Sequence, residues 1–308
     1  MTEPAATASW LWIPIVLLAA LVQTARNAAQ RSLVAKAGTL GATLSRFLYG
    51  LPFALACVAL LHALPATAAA VPRFGTGYLA WQLMGALSQV AATACLLAAM
   101  KQRNFVVGVA FSKTDALQVA LFGALLLGEL PGWLALAAIG LATAGVMLLS
   151  LPASRLAARE PVSWLAALYG LGSGAFFALA SVGYRGAALQ LPGVSPWLIA
   201  AWGVLIAQAV QSALLGGWLA WRSPQSLRAM VGESRTALLA GSMGALASLG
   251  WLAAVAITTA ANVRTLGLVE VVFSFVVSHR LLRERLTLAE QAGLVLVVVG
   301  VVVLCAGL

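Results

Sequence analysis

Two carboxylates, Asp115 and Glu270, stand inside long apolar runs, and each is followed at the end of its run by a second acid, Glu129 and Glu284. The offsets agree, since 270 − 115 and 284 − 129 are both 155. With only 8 acidic residues in the chain, two matched pairs at one offset point to an internal duplication. A charge at membrane depth costs about 3 kcal/mol on insertion scales, and burial disfavours the charged form of an acid. Asp115 and Glu270 are therefore candidates for proton coupling or for holding a substrate ammonium. Lys113 stands close to Asp115 in sequence but roughly 200° away around a helix axis, so each needs a partner elsewhere. Lys113 is a candidate to neutralise Glu270 or to hold a substrate carboxylate. The structural alternative is a latch, in which Lys113 and Arg264 neutralise the two acids and fasten the repeats together.

Further polar side chains fall on shared helical faces. Gly108, Ser112, Asp115 and Gln118 share one, and Gly267, Glu270, Ser274 and Ser278 form its counterpart. Gln82, Gly85, Gln89 and Thr93 are answered by Gly241, Gly244, Ser248 and Trp251. The glycines read as close-packing positions, whereas the Gln89 amide and the Trp251 indole suit a polar cavity. Gln23 and Asn27 sit deep enough in the first apolar run to face such a cavity, while Arg26 and Arg31 are expected to snorkel to headgroups. Tyr184 and Trp202 are candidate stacking surfaces, although membrane-belt and packing roles are commoner for such residues. Gln208 and Gln211 have no assigned partner. Arg46 reads as an interfacial anchor, His62 and His279 as interfacially solvated, and Glu129 and Glu284 as residues that cap or pair at the start of the next helix. The substrate-binding set is thus Asp115, Glu270, Lys113, Gln118, Gln89, Trp251, Gln23, Asn27 and Tyr184.

The elements that position these residues follow from composition. The chain has 308 residues, 62% hydrophobic and 8% charged, against about 25% charged in a soluble domain. It is expected to be an all-α integral membrane protein. Stretches long enough to span fall at roughly 10–33, 42–64, 76–100, 105–127, 131–151, 163–187, 196–221, 236–258, 262–282 and 286–307. The expected architecture is ten transmembrane helices in two five-helix repeats, residues 1–152 and 153–308. An odd number of spans per repeat makes the second enter from the opposite side, so the repeats are inverted. No secretory leader is expected, nor any appended soluble domain. The net charge of +10 resides in short connections and is not a nucleic-acid signal. Loops after the odd-numbered spans hold Arg31, Lys36, Lys101, Arg222 and the Arg280–Arg285 turn, whereas the opposite loops hold Arg73, with Arg185 near a span end. That bias places both termini outside the cytoplasm.

The repeat plan, Arg46 near the start of span 2, and the Gly128-Glu129 and Arg283-Glu284 turns before each repeat's last span resemble the drug/metabolite transporter superfamily, in its ten-helix EamA-like branch. The resemblance implies a single-chain inner-membrane carrier, commonly exporting amino acids or other small metabolites. It also implies cytoplasmic termini, against the charge count; the count is followed here.

Other classes fit less well. Gly172-Ser173-Gly174 has no histidine placed to act as its base. The three cysteines show no metal or disulfide spacing, there is no phosphate-binding loop, and no cofactor is expected. A channel or non-transporting membrane subunit would need a charge ring or filter loop. The expectation is a secondary carrier working by alternating access on a small polar or amphipathic metabolite, an amino acid or related compound, with export favoured. A proton-coupled carrier of an organic cation or amine is the alternative. The bilayer and possibly protons are its other partners; a monomer suffices and a dimer is possible.

Overall fold

A computed structural model describes residues 10–64, 70–102, 110–150, 164–273 and 287–307, the side chains at 28–32, 35 and 100 excepted. Among the described residues all regular structure is helical. The helices are α1 (Trp12–Leu48), α2 (Leu51–Ala63), α3 (Thr76–Met100), α4 (Asp115–Leu127), α5 (Trp133–Ser150), α6 (Trp164–Leu189), α7 (Pro196–Arg222), α8 (Pro224–Gly232), α9 (Ser234–Ile257), α10 (Ala260–Gly267) and α11 (Leu288–Ala306). Eight helical stretches are long and apolar enough to cross a membrane, and Trp12–Asn27 adds a shorter apolar one. The expected span 262–282 leaves the described residues at 274, which takes Ser274, Ser278, His279, Glu284 and the basic turn with it.

The first two expected spans meet in one kinked element. Gly38 breaks α1 with φ 71° and ψ 171°, a left-handed backbone setting that glycine adopts without a Cβ clash. Beyond it the chain runs on through Gly50 into α2, and residues Lys36–Ala63 make one span of 28 residues. The connection 222–235, expected to be a plain turn, holds the short helix α8. Met230 and Leu227 of α8 pack with Leu33, Phe47 and Leu219, so α8 lies against α1 and α7. Lys36 and Glu233 pair across this end at 2.6 Å.

Three helix pairings dominate: α1 along α9, α3 along α6, and α5 along α11. Each closes on small residues, as expected where lipid supplies no hydrophobic drive and backbones must approach for dispersion contact. A Cβ on Gly183 would stand 2.7 Å from the Gly85 nitrogen, one on Gly250 2.8 Å from the Ala19 Cβ, and one on Gly145 2.6 Å from the Gly293 oxygen.

Polarity is arranged inside-out. Leu125, Trp133, Trp164, Trp221 and Leu288 are exposed, whereas Gln82, Gln208, Gln211, Ser173 and Asp115 are buried. Trp133, Trp164 and Trp221 stand at helix ends, where an aromatic belt meets headgroups. Two of the buried polar groups find backbone partners: the Gln82 amide donates to the Gly203 oxygen at 2.6 Å and the Ser173 hydroxyl to the Ala92 oxygen at 2.9 Å.

The α5–α11 seam is directly testable. Gly145→Val must displace backbone and is expected to cost about 1–3 kcal/mol by overpacking. Gly140, on the same helix, has nothing within 4 Å of its would-be Cβ. Thermal unfolding of the detergent-purified protein should therefore fall for Gly145→Val and stay near wild type for Gly140→Val; equal behaviour of the two would contradict the packing described.

Candidate functional site

Both acid-bearing spans tighten just before the acid. Lys113 and Thr114 donate backbone bonds to residues three back, Ala110 and Phe111, and α4 begins afresh at Asp115. In the other half Leu268 donates to Thr265 and Val271 to Leu268, again three back, so that Glu270 follows a tightened turn after α10. The positions match, since 268 − 113 is 155. Mid-helix tightening of this kind marks hinges and ligand sites, and paired interruptions are a sequence-level pointer to transporter cavities. Residues Ala110–Leu127 of the expected span 105–127 remain one apolar span, tightened at Lys113 and Thr114, and residues 105–109 lie outside the described residues.

The two acids line one cavity of about 660 Å³, enclosed by residues from α1, α3, α4, α6, α7, α9 and α10. Glu270 accepts from the Gln23 amide at 2.5 Å and from the Asn27 amide at 2.9 Å. The Trp251 indole donates to the Gln23 oxygen at 3.0 Å, and Arg26 donates to the Asn27 oxygen at 2.6 Å. A continuous polar chain thus runs Trp251–Gln23–Glu270–Asn27–Arg26. On the facing wall the Tyr184 hydroxyl and the Gln211 amide both donate to the Gln89 oxygen, at 3.0 and 2.7 Å. Asp115, 2% exposed, is paired with Arg264 and leaves its second oxygen without a partner among the described residues.

Glycines seat the larger lining groups. A Cβ on Gly267 would meet the Trp251 ring at 2.8 Å, and one on Gly85 the Tyr184 ring at 2.7 Å. A Cβ on Gly244 would meet Arg46 Cγ at 2.8 Å and Arg26 Cδ at 3.5 Å.

The cavity is one-sided. Toward the end where α3 finishes and α9 begins it reaches Val34 and Thr39, both exposed. At the opposite end Arg185 of α6 donates to Glu129 at 2.7 Å and to the Val255 oxygen at 2.8 Å, tying the ends of α4, α6 and α9. Beside it Trp202 donates to the His62 ring at 3.1 Å and packs on Phe74 at 5.3 Å between centroids.

Of the residues singled out in the sequence, Asp115, Glu270, Lys113, Gln89, Trp251, Gln23, Asn27 and Tyr184 all line the cavity. Gln118 does not; its amide donates to the Thr114 hydroxyl at 2.9 Å and sits against Gly174. The latch pairing is realised for Arg264 with Asp115, while Lys113 forms no ion pair among the described residues. Three expectations, those for Arg26, Arg46 and His62, are corrected. Arg26 and Arg46 line the cavity and do not snorkel or anchor at the interface. Glu129 is an ion-pair partner of Arg185, and the helix end before it is closed by Gly128 in the left-handed region at φ 69°. His62 is an acceptor in the closed end. Trp202 takes the packing role at that end and does not line the cavity. Gln208 and Gln211, which had no assigned role, line the cavity as well; an amide deep in an apolar run was the available signal.

Comparison with curated proteins finds no match. A crystal structure of a protein with 18% sequence identity superposes with a TM-score of 0.69, covering 95% of this chain and 95% of that one, which establishes a shared fold. Residues 164–306 match the EamA-like transporter family. Over this second half the chain is similar to the EamA-like transporters, a family of the drug/metabolite transporter superfamily, and its eight long apolar helices among the described residues are those of a multi-pass membrane protein.

Proposed function

We propose that the protein is a secondary carrier of the inner membrane, moving a small polar or amphipathic metabolite by alternating access. The observation that carries this reading is a polar cavity holding both acids that reaches one end of the bundle while an ion pair ties the other. In this reading residues 1–152 and 153–308 are inverted five-helix repeats and the spans number ten. The helix pairings support it: exchanging the halves turns the contact of early α1 with α9 into the contact of α6 with α3, and leaves α5 with α11 and α2 with α7. The matched tightened turns before Asp115 and Glu270 support it as well. With both termini outside the cytoplasm, the open end faces the cytoplasm, which suits loading for export.

Lining groups of both signs suit an amino acid or related compound. An organic cation is less well served, because Asp115 is already paired and both Glu270 oxygens accept amide hydrogen bonds. Asp115, Glu270, Lys113, Gln89, Trp251, Gln23, Asn27 and Tyr184 are the proposed contact set. Glu270 is the proposed proton site, since its amide shell offers a place to a neutral acid without collapse of the chain Trp251–Gln23–Glu270–Asn27.

Two outcomes are expected. In proteoliposomes screened with radiolabelled amino acids, counterflow of any that are transported should lose its response to an imposed pH gradient in Glu270→Gln, and Asp115→Asn should lower the rate at least about tenfold by unpairing Arg264. Unchanged rate and pH response in both would remove these residues from the mechanism. Second, Glu129→Gln loosens the tied end. In a background without Cys57, Cys95 and Cys305, a Ser181→Cys probe should label several-fold faster with a membrane-impermeant thiol reagent applied from that side. No acceleration would mean that the Arg185 ion pair does not hold the closure.

A further inference from the structure

Two of the cavity's cations stand side by side with no acid assigned to them. Arg26 and Arg46 share the same glycine, Gly244, beneath their aliphatic stems. Arg26 is 7% exposed. One of its terminal nitrogens donates to Asn27, and its Nε has no partner among the described residues. Arg46 lies over the Phe47 ring at 4.3 Å, and its Nη2 is buried without a partner among the described residues. Neither takes part in an ion pair among the described residues.

The surroundings do not neutralise the pair. The cavity lining carries Arg26, Arg46, Lys113 and Arg264 against Asp115 and Glu270. Asp115 belongs to Arg264. Glu270 acts on Arg26 through space, yet both its oxygens are held by amides. Two like charges held together in a low-dielectric site repel strongly, and unpaired guanidinium donors in such a site carry a desolvation cost. An anion placed between them removes both penalties and matches the fork geometry of guanidinium.

We propose that Arg26 and Arg46, seated on Gly244, form an anion subsite that takes the carboxylate or phosphate group of the cavity's ligand. The rest of the ligand extends toward Trp251 and Tyr184, which line the same space. The inference deepens the carrier reading and uses the same cavity. It makes a negatively charged group the feature that the protein requires, and a free amine an optional one.

The test is ligand-induced thermal shift on the full-length, detergent-purified protein. The probes are benzoate, phenyl phosphate and benzylamine at equal concentration and matched ionic strength. At least one of the two anions is expected to raise the melting temperature and benzylamine to leave it unmoved; which anion acts separates carboxylate from phosphate recognition. Arg46→Gln and Arg26→Gln are each expected to weaken the apparent affinity for that anion roughly tenfold or more, as for loss of a charged hydrogen bond, and Arg46→Lys to restore part of it. Should either glutamine variant fail to fold, Gly244→Ala, which pushes on Arg46 Cγ, is expected to weaken the anion shift while leaving both charges in place. A wild-type protein that responds to neither anion, or equally to benzylamine, overturns the proposal, as does an Arg46→Gln protein with an undiminished anion shift. Anion binding that survives while counterflow is absent for every compound instead overturns the carrier reading and leaves the subsite standing.

Discussion

A charge or amide inside a bilayer has no water to turn to, and this single constraint orders the molecule. Glu270 resolves it with two amide donors from α1, and those donors are themselves held by Trp251 and Arg26. The consequence is that α1, α9 and the span carrying Glu270 are locked together by one polar chain. Asp115 resolves the same problem differently, through Arg264 on the neighbouring helix. Two acids at matched positions thus tie the halves of the chain to each other, one through amides and one through an ion pair. The difference in their shells gives them different chemistry: loss of the Asp115 charge leaves the Arg264 guanidinium unpaired, whereas the direct partners of Glu270 are neutral amides.

The close helix contacts follow from the same constraint. Polar chains of this kind demand short reach, and short reach demands that backbones approach. Gly267, Gly85 and Gly244 each vacate the volume into which Trp251, Tyr184 or the two arginines settle. The glycines therefore have two duties. Those at Gly145, Gly183, Gly250 and Gly300 bring helices together, and those around the cavity make room for the side chains that line it. A single added methyl acts on stability at the first group and on cavity shape at the second.

The asymmetry of the closed and open ends gives the bundle its direction. Arg185 reaches Glu129 and the last carbonyls of α9, where the helix end leaves oxygens without intrahelical donors. The ion pair is half-buried at the edge of the bundle and is coupled to three helix ends at once. It is suited to breaking and re-forming, since water reaches it more readily than it reaches Asp115. The interior pairs lie along the cavity, and the pair at the edge lies at its closed end.

Much of this was legible in the residues alone. Hydropathy is a local sum, so the apolar runs announced a membrane protein and located the helices, and the scarcity of acids exposed the 155-residue offset between Asp115 and Glu270. Gln23, Asn27, Gln89, Tyr184 and Trp251 were identifiable because a polar or amphipathic group deep in such a run needs a partner. What only the tertiary structure decided was where long side chains point. Arg26 and Arg46 stand close enough to a span end to snorkel, and they turn inward because Gly244 on another helix leaves them a channel. Whether Glu129 caps or pairs is decided by Arg185, which a different helix places 2.7 Å from it. Gln118 keeps its helical spacing from Asp115 within α4, but the Thr114 hydroxyl takes its amide and Gly174 of α6 packs against it, so it does not reach the cavity. Reach, partner and register depend on neighbours distant in sequence, which no local pattern encodes.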